Sequence, residues 1–248
     1  MFGLLSEALL PSIIGLMMHS NEEILPGDEE VISEYKEGIS LPALTAHPVA
    51  IAMIGLVGSG KSTVATTLAK ELSAVVVTND KIRQLPSKRG GDYARVIFIA
   101  EELALDFLRD GYSVIMDSDY VDQDKRASLR AKLNSISIPL YFVRTTAHPD
   151  AQIFRILNED YTEEVNLFFA NASSPAEIHK ASPLYGPTIK LREMLRRLPH
   201  HYRWSREGGG TWHLRRLPFK IHLDLNLTFA GWEGQLKDFC FKVNTKSL

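Results

Sequence analysis

A three-layer α/β fold, with a five-stranded parallel sheet between layers of helices, is what this sequence predicts from three observations. First, the continuous apolar runs VAIAMIGL, AVVVT, YSVIMDS and IPLYFVRT are rich in β-branched residues, as strands buried on both faces require. Second, stretches with helical spacing separate them: KSTVATTLAKELS, DYARVIFIAEELALDFLRDG and DQDKRASLRAKLNS. Strands that alternate with helices imply parallel pairing through right-handed crossovers. Third, 248 residues with 45% hydrophobic and 23% charged side chains suffice for a core without metal or disulfide staples. Cys240 is the only cysteine, so neither an intrachain disulfide nor a cysteine-based zinc site is available, as suits a reducing, cytoplasmic setting. The net charge of −2 gives no bulk attraction to nucleic acid.

The start, MFGLLSEALLPSIIGLMM, is apolar but has no basic flank, contains Glu7 and is broken by Pro11. It is also shorter than the roughly 20 apolar residues of a bilayer span. It reads as a packing or partner-docking helix, with no membrane role expected. With the acidic NEEILPGDEEVISEYKEG it makes up an N-terminal appendage, residues 1–47, ahead of a main domain over 48–248. In the first helix of that domain Val64, Leu68 and Leu72 share a face; the second long helix stops at Gly111. Pro149 suits the first turn of the helix in HPDAQIFRILNEDY. Residues 162–217 interrupt the alternation as an insertion containing the helix-like TIKLREMLRRL and the flexible REGGGTW; FKIHLDL is then a late strand and FAGWEGQLKDFCFKV a closing helix. The sequon at Asn171 carries no weight in a cytosolic chain.

The motif that carries chemistry is Gly55-Leu56-Val57-Gly58-Ser59-Gly60-Lys61-Ser62-Thr63, a full G-x-x-x-x-G-K-[ST] match between a buried strand and a helix. Its glycines let successive N–H groups point inward at phosphate oxygens, and the following helix presents its positive end to the same anion. Lys61 adds a point charge for the β/γ-phosphates and the Ser62 hydroxyl is a Mg²⁺ ligand. Asp117 closes an apolar strand, where a carboxylate holds Mg²⁺, often through water; it is favoured over its neighbour Asp119. No N-K-x-D element for guanine appears, so ATP with Mg²⁺ is the expected ligand. Asp80 follows the second strand on the edge of the sheet that bears the phosphate loop. Two readings stand for it: a base for a substrate hydroxyl, with Arg83 holding substrate charge, or the cap of the next helix.

GLVGSGKST, VVVTNDKIR and SVIMDS together resemble the small P-loop kinases of the AAA type, the polynucleotide-kinase and zeta-toxin-like group. The resemblance covers roughly residues 49–160 and resumes at FKIHLDL. It implies a P-loop NTP hydrolase-type sandwich with strand order 2-3-1-4-5 and a helical lid. It implies Asp80 as base, Arg83 as substrate-binding arginine and a lid arginine near Arg155. A second arginine soon after Arg155 is missing, so Arg192, Arg196 and Arg197 are further candidates for lid charge. The expected reaction moves the γ-phosphate of ATP to a hydroxyl of a small metabolite, nucleotide sugar or nucleic-acid end. A plain ATPase or a nucleotide-switched binding module are the alternatives. In the insertion, KLREMLRRLPHHYRWSREGGGTWHLRRLPFK interleaves basic residues with Tyr202, Trp204 and Trp212. Such a segment suits single-stranded nucleic acid, a nucleotide-like small substrate or the lid itself, and equally a solvated helix face. His200-His201 lacks the spaced partners of a metal site. The apolar start could also cover a dimer surface, with no oligomeric state specified.

Overall fold

A computed structural model describes residues 23–89, 95–161 and 185–245. The apolar start, the Asn171 sequon and residues 162–184 of the insertion lie outside the described residues.

Five strands form the central sheet: β1 (Ala50–Ile54), β2 (Ala74–Thr78), β3 (Ser113–Asp117), β4 (Leu140–Thr146) and β7 (Leu223–Asn226). All pair in parallel, in the order β2–β3–β1–β4–β7. The order departs from the expected one in that its fifth position is taken by the seventh strand of the chain. β5 (Tyr202–Ser205) and β6 (Thr211–Leu214) come between, and pair only with each other as an antiparallel hairpin. The hairpin turn is the stretch expected to be flexible; Glu207–Gly209 instead form one 3₁₀ turn.

Because side chains alternate along a strand, each strand feeds two cores. Ala50, Ala52, Ile54, Val75, Val77, Val114 and Met116 face one side. There they meet α1 (Pro26–Glu37), α3 (Asn79–Arg89), α4 (Val96–Arg109) and α5 (Gln123–Ser135). Ile51, Met53, Ile115, Val143 and Leu225 face α2 (Lys61–Leu72) and α8 (Glu233–Asn244). On α2 the predicted stripe of Val64, Leu68 and Leu72 is buried, so Leu68→Ala would cost about 2–5 kcal/mol. Two further helices, α6 (Pro149–Leu157) and α7 (Tyr185–His201), share a third, smaller cluster. Among the described residues, no helix is long and apolar enough to cross a membrane.

Helix α1 falls within the segment expected as an appendage, yet it belongs to the first core. Val31, Ile32 and Tyr35 bury one stripe against α3 and α4. The Tyr35 hydroxyl donates to the Val76 carbonyl at 3.1 Å and accepts the Thr78 N–H at 3.0 Å. Asp28 accepts the Leu25 N–H at 2.9 Å, and Arg95 grips its carboxylate with Nε and Nη2. The mixed charge of PGDEEVISEYKE masks a narrow apolar stripe that only packing makes evident.

Candidate active site

The parallel sheet delivers the carboxyl ends of β1, β2, β3 and β4 to one edge, where ligands bind in open α/β folds. The phosphate loop leaves β1 there and turns into α2. At Gly58 the backbone is left-handed, with φ +77°, and a Cβ would lie 2.8 Å from the carbonyl oxygen of Gln152 on α6. Glycine is required twice over, by conformation and by close approach. Ser59 is buried, and its Oγ lies 2.9 Å from Thr145 Oγ1 at the end of β4, which ties the loop to the sheet. No side chain caps α2, so its first N–H groups stay available to an anion. Lys61 curls back over the loop, its Nζ donating to the Leu56 carbonyl at 3.1 Å. A loop pinned on both sides, an uncapped helix start and a lysine above it fit a polyphosphate.

Asp117 ends β3 beside Thr78, the last residue of β2. Burial pushes its carboxyl above the usual range; the positive charge of Lys61 and a hydrogen bond from Ser62 pull it back, and the negative charge of Asp80 adds to the rise. Asp117, Ser62 and Lys61 therefore meet in one place. No group of three or more His, Cys, Asp or Glu suited to a metal occurs among the described residues. A hydroxyl and one carboxylate fit Mg²⁺ rather than a caged ion, since Mg²⁺ keeps much of its water and takes phosphate oxygens.

Asp80 sits in the first turn of α3, close enough to raise the Asp117 carboxyl. It makes no cap contact of its own; the Lys81 N–H turns instead to Thr78 Oγ1 at 3.3 Å. Asp80 is 68% exposed and Arg83 42% exposed, and they pair across one helical turn at 2.9 Å. The neighbouring Asn79 is buried and donates to Ser118 Oγ at 3.0 Å, which fixes the start of α3 against β3.

Asp119, two residues past Asp117, is the most heavily bonded group of the site. Its Oδ1 accepts the Gly55 N–H at 3.1 Å. Its Oδ2 accepts from Arg197 Nε at 2.9 Å and lies 3.0 Å from His201 Nε2, both from α7. Arg197 also reaches Asp122 at 2.9 Å. Burial alone would raise the Asp119 carboxyl; the His201 hydrogen bond and the positive charges of His201, Lys61 and Arg197 outweigh it and hold the group well below the usual carboxylate range. Beside this cluster Lys125 has its ammonium depressed by burial and by the Arg197 charge.

The lid candidates divide. Arg155 donates to the Gly58 carbonyl at 3.1 Å and to the Leu227 carbonyl, so it braces the phosphate loop against the chain after β7. Arg196 pairs with Glu193 on the surface of α7. Arg197 alone of the three α7 candidates bonds beside the phosphate loop, through Asp119.

Residues 51–158 match the family described as an AAA domain, a stretch from β1 to just past α6. No curated protein matches the chain. Among solved structures, the protein APE1195 aligns over 82% of this chain and 98% of its own at 18% identity, with a TM-score of 0.52. The APS kinase of Mycobacterium tuberculosis, solved with AMPPNP and APS, aligns over 80% of this chain and 96% of its own at 17% identity and TM-score 0.45. A gluconokinase from Sinorhizobium meliloti aligns over 82% and 97% at 14% identity and TM-score 0.43. The likeness to APE1195 shows a shared α/β fold, here built on the five-stranded parallel sheet.

Two residues of the site have no assignment from sequence alone. Local pattern favours Asp117 over Asp119, and it marks His201 only as a non-metal histidine. Asp119 and His201 stand 82 positions apart, and no local spacing announces that pairing.

Proposed function

We propose that the chain is an ATP-dependent phosphotransferase that moves the γ-phosphate of ATP to a hydroxyl of an acceptor. The observation that supports this most is the second carboxylate: Asp80 is exposed beside buried Asp117, on the same sheet edge as the phosphate loop. One carboxylate serves the metal, and the other is open to an incoming hydroxyl.

Residues Gly55, Val57, Gly58, Ser59, Gly60, Lys61, Ser62 and Thr63 cradle the triphosphate through backbone N–H groups and the Lys61 charge. Ser62 and Asp117 would hold Mg²⁺, which would supply positive charge against the phosphates. Asp80 accepts the proton of the acceptor hydroxyl at its carboxylate oxygen, and Arg83, released from Asp80 by the acceptor, orients it. Arg155 keeps the loop in shape through the Gly58 carbonyl. Arg197, its fork held by Asp119 and Asp122, sets a fixed positive charge beside the phosphate loop in place of a lid arginine. Positioning and charge supply most of the rate, since the phosphoryl transition state is loose.

Transfer of labelled γ-phosphate from ATP to a panel of oligonucleotides, nucleosides, nucleotide sugars and metabolites tests this. A labelled organic product from the parent, lost in Asp80→Asn, is the expected result. Labelled inorganic phosphate alone, at the same rate in both proteins, would replace the kinase reading with an ATPase.

A further inference from the structure

We propose that the β5–β6 hairpin is a binding platform for single-stranded nucleic acid, with Trp204 as its base-stacking side chain. The inference rests on the hairpin alone and holds whether or not the chain transfers phosphate.

The pairing Tyr202↔Leu214 and Trp204↔Trp212 puts these four side chains on one face, and Arg203↔His213 on the other. The root of that face is closed: Tyr202 is buried and donates to the Ala147 carbonyl at 2.7 Å, and Trp212 packs on the cluster of Leu56, Ile156, Met194 and Leu198. The Arg215 N–H donates to the His201 carbonyl at 2.8 Å, and Arg144 to the Arg215 carbonyl at 3.0 Å, which fastens both strands to the sheet edge. The rest of the face is open: Trp204 is 49% exposed, and Leu214, diagonal to it and opposite Tyr202, is exposed too.

The exposed indole is held in place. Its ring meets Trp212 edge-on with centroids 4.9 Å apart. Gly210, with φ +93°, passes so close beneath that a Cβ there would fall 2.4 Å from Trp204 Cζ2. A large aromatic ring fixed on the edge of a rigid hairpin has little entropy left to lose when a base stacks on it. The surrounding charge has one sign. Residues 202–222 contain four arginines and a lysine against one glutamate, in a chain of net charge −2. The side chains of Arg203, Arg206 and Arg216 are exposed, and among the described residues none of them is in an ion pair; Arg203 stands on the face of the hairpin opposite Trp204. Exposed guanidiniums in the same hairpin segment as a fixed aromatic ring match the two demands of a single strand, backbone charge and base stacking. An acidic peptide would use the arginines but not the indole, and a duplex keeps its bases stacked away from it.

The test measures binding of a short labelled oligothymidylate to the full chain by fluorescence anisotropy and by quenching of tryptophan emission, without ATP. Trp204→Ala should weaken binding about 5- to 100-fold. Trp204→Phe, which keeps a stacking plane, should retain most of the affinity and guards against loss of the hairpin itself. Removing Arg203 and Arg206 together should flatten the slope of log affinity against log salt by about 0.7 for each phosphate no longer neutralised. Lys61→Ala should bind the oligonucleotide like the parent, which separates this platform from the nucleotide site. Binding by Trp204→Ala equal to the parent's, or displacement by polyglutamate as effective as by unlabelled oligonucleotide, would overturn the proposal.

Discussion

The two acidic groups flanking the phosphate loop contrast in every respect but charge. Asp80 lies 68% exposed with one partner, Arg83, three residues away on its own helix. Asp119 is 12% exposed and is shared by the phosphate loop and by Arg197 and His201 of α7, 78 and 82 positions along the chain. An open carboxylate with a replaceable partner is free to meet a substrate; a buried one with several partners can only hold parts together. On the proposed reading chemistry and architecture are divided between neighbouring carboxylates, and substitution should separate them.

The largest effect is expected at Asp80. Asp80→Asn should lower kcat for phosphate transfer about 10²- to 10⁴-fold, the range for a general base, with little change in the KM for ATP. Its midpoint in urea should move by less than the equivalent of about 1 kcal/mol, because an exposed pair contributes little. A variant that loses stability and keeps turnover would assign Asp80 to helix capping.

Asp119→Asn should reverse the pattern. It leaves Arg197 and His201 buried without their anion, a change that costs about 3–5 kcal/mol in comparable buried pairs. The acid dependence follows from the depressed carboxyl. A group whose folded pKa lies below its unfolded one contributes fully above the unfolded value, near 3.9 for aspartate, and loses that contribution as pH falls toward the folded value. The part of the stability gap carried by the Asp119 charge, read by urea denaturation, should be present at about pH 5 and close below about pH 4. A gap unchanged down to the acid transition would mean that contacts other than the carboxylate charge hold α7 in place.

The same contrast explains what is legible in the sequence. The strands, the phosphate loop, Asp117 and the Asp80–Arg83 pair are local patterns, each fixed by spacing within one strand–loop–helix unit. Asp119, Arg197 and His201 come together only when α7 returns across the sheet edge. Helix α1 is obscured because five acidic side chains surround its stripe of Val31, Ile32 and Tyr35. The hairpin is hidden by REGGGTW, whose glycines read as looseness although Gly210 is where Trp204 packs. Composition signals mobility in such a stretch, whereas the close approach of a ring to backbone is a tertiary event.

Tyr35 tests how far α1 serves the site. Its hydroxyl bridges Val76 and Thr78, the last turn of chain before Asn79 and Asp80. Tyr35→Phe leaves the Thr78 N–H without its acceptor, at a cost of about 1–3 kcal/mol. A loss of turnover beyond what lowered stability explains, measured well below the melting temperature, would make Tyr35 a positioning residue for Asp80. Unchanged kcat would confine it to the fold.

The smallest effect has the opposite sign. Asp117 is an acid whose folded pKa is raised, chiefly by burial, so its ionised form costs the folded state stability above that pKa. As pH falls below the unfolded value both states are protonated and the cost disappears. Asp117→Asn should therefore stabilise the protein at neutral pH by something on the order of 1 kcal/mol, with the gain shrinking on acidification. Removal of the hydrogen bond from Ser62 works against this and sets the lower bound. Added ATP with Mg²⁺ should raise the melting temperature of the parent more than that of the variant, because a metal-binding carboxylate is stabilised only when its cation is present. If the variant is both more stable and equally protected by Mg²⁺ and ATP, Asp117 is a buried strand end and not a metal ligand. Asp119 would then be the carboxylate to test, and its use by a metal would come at the expense of the bonds that hold α7.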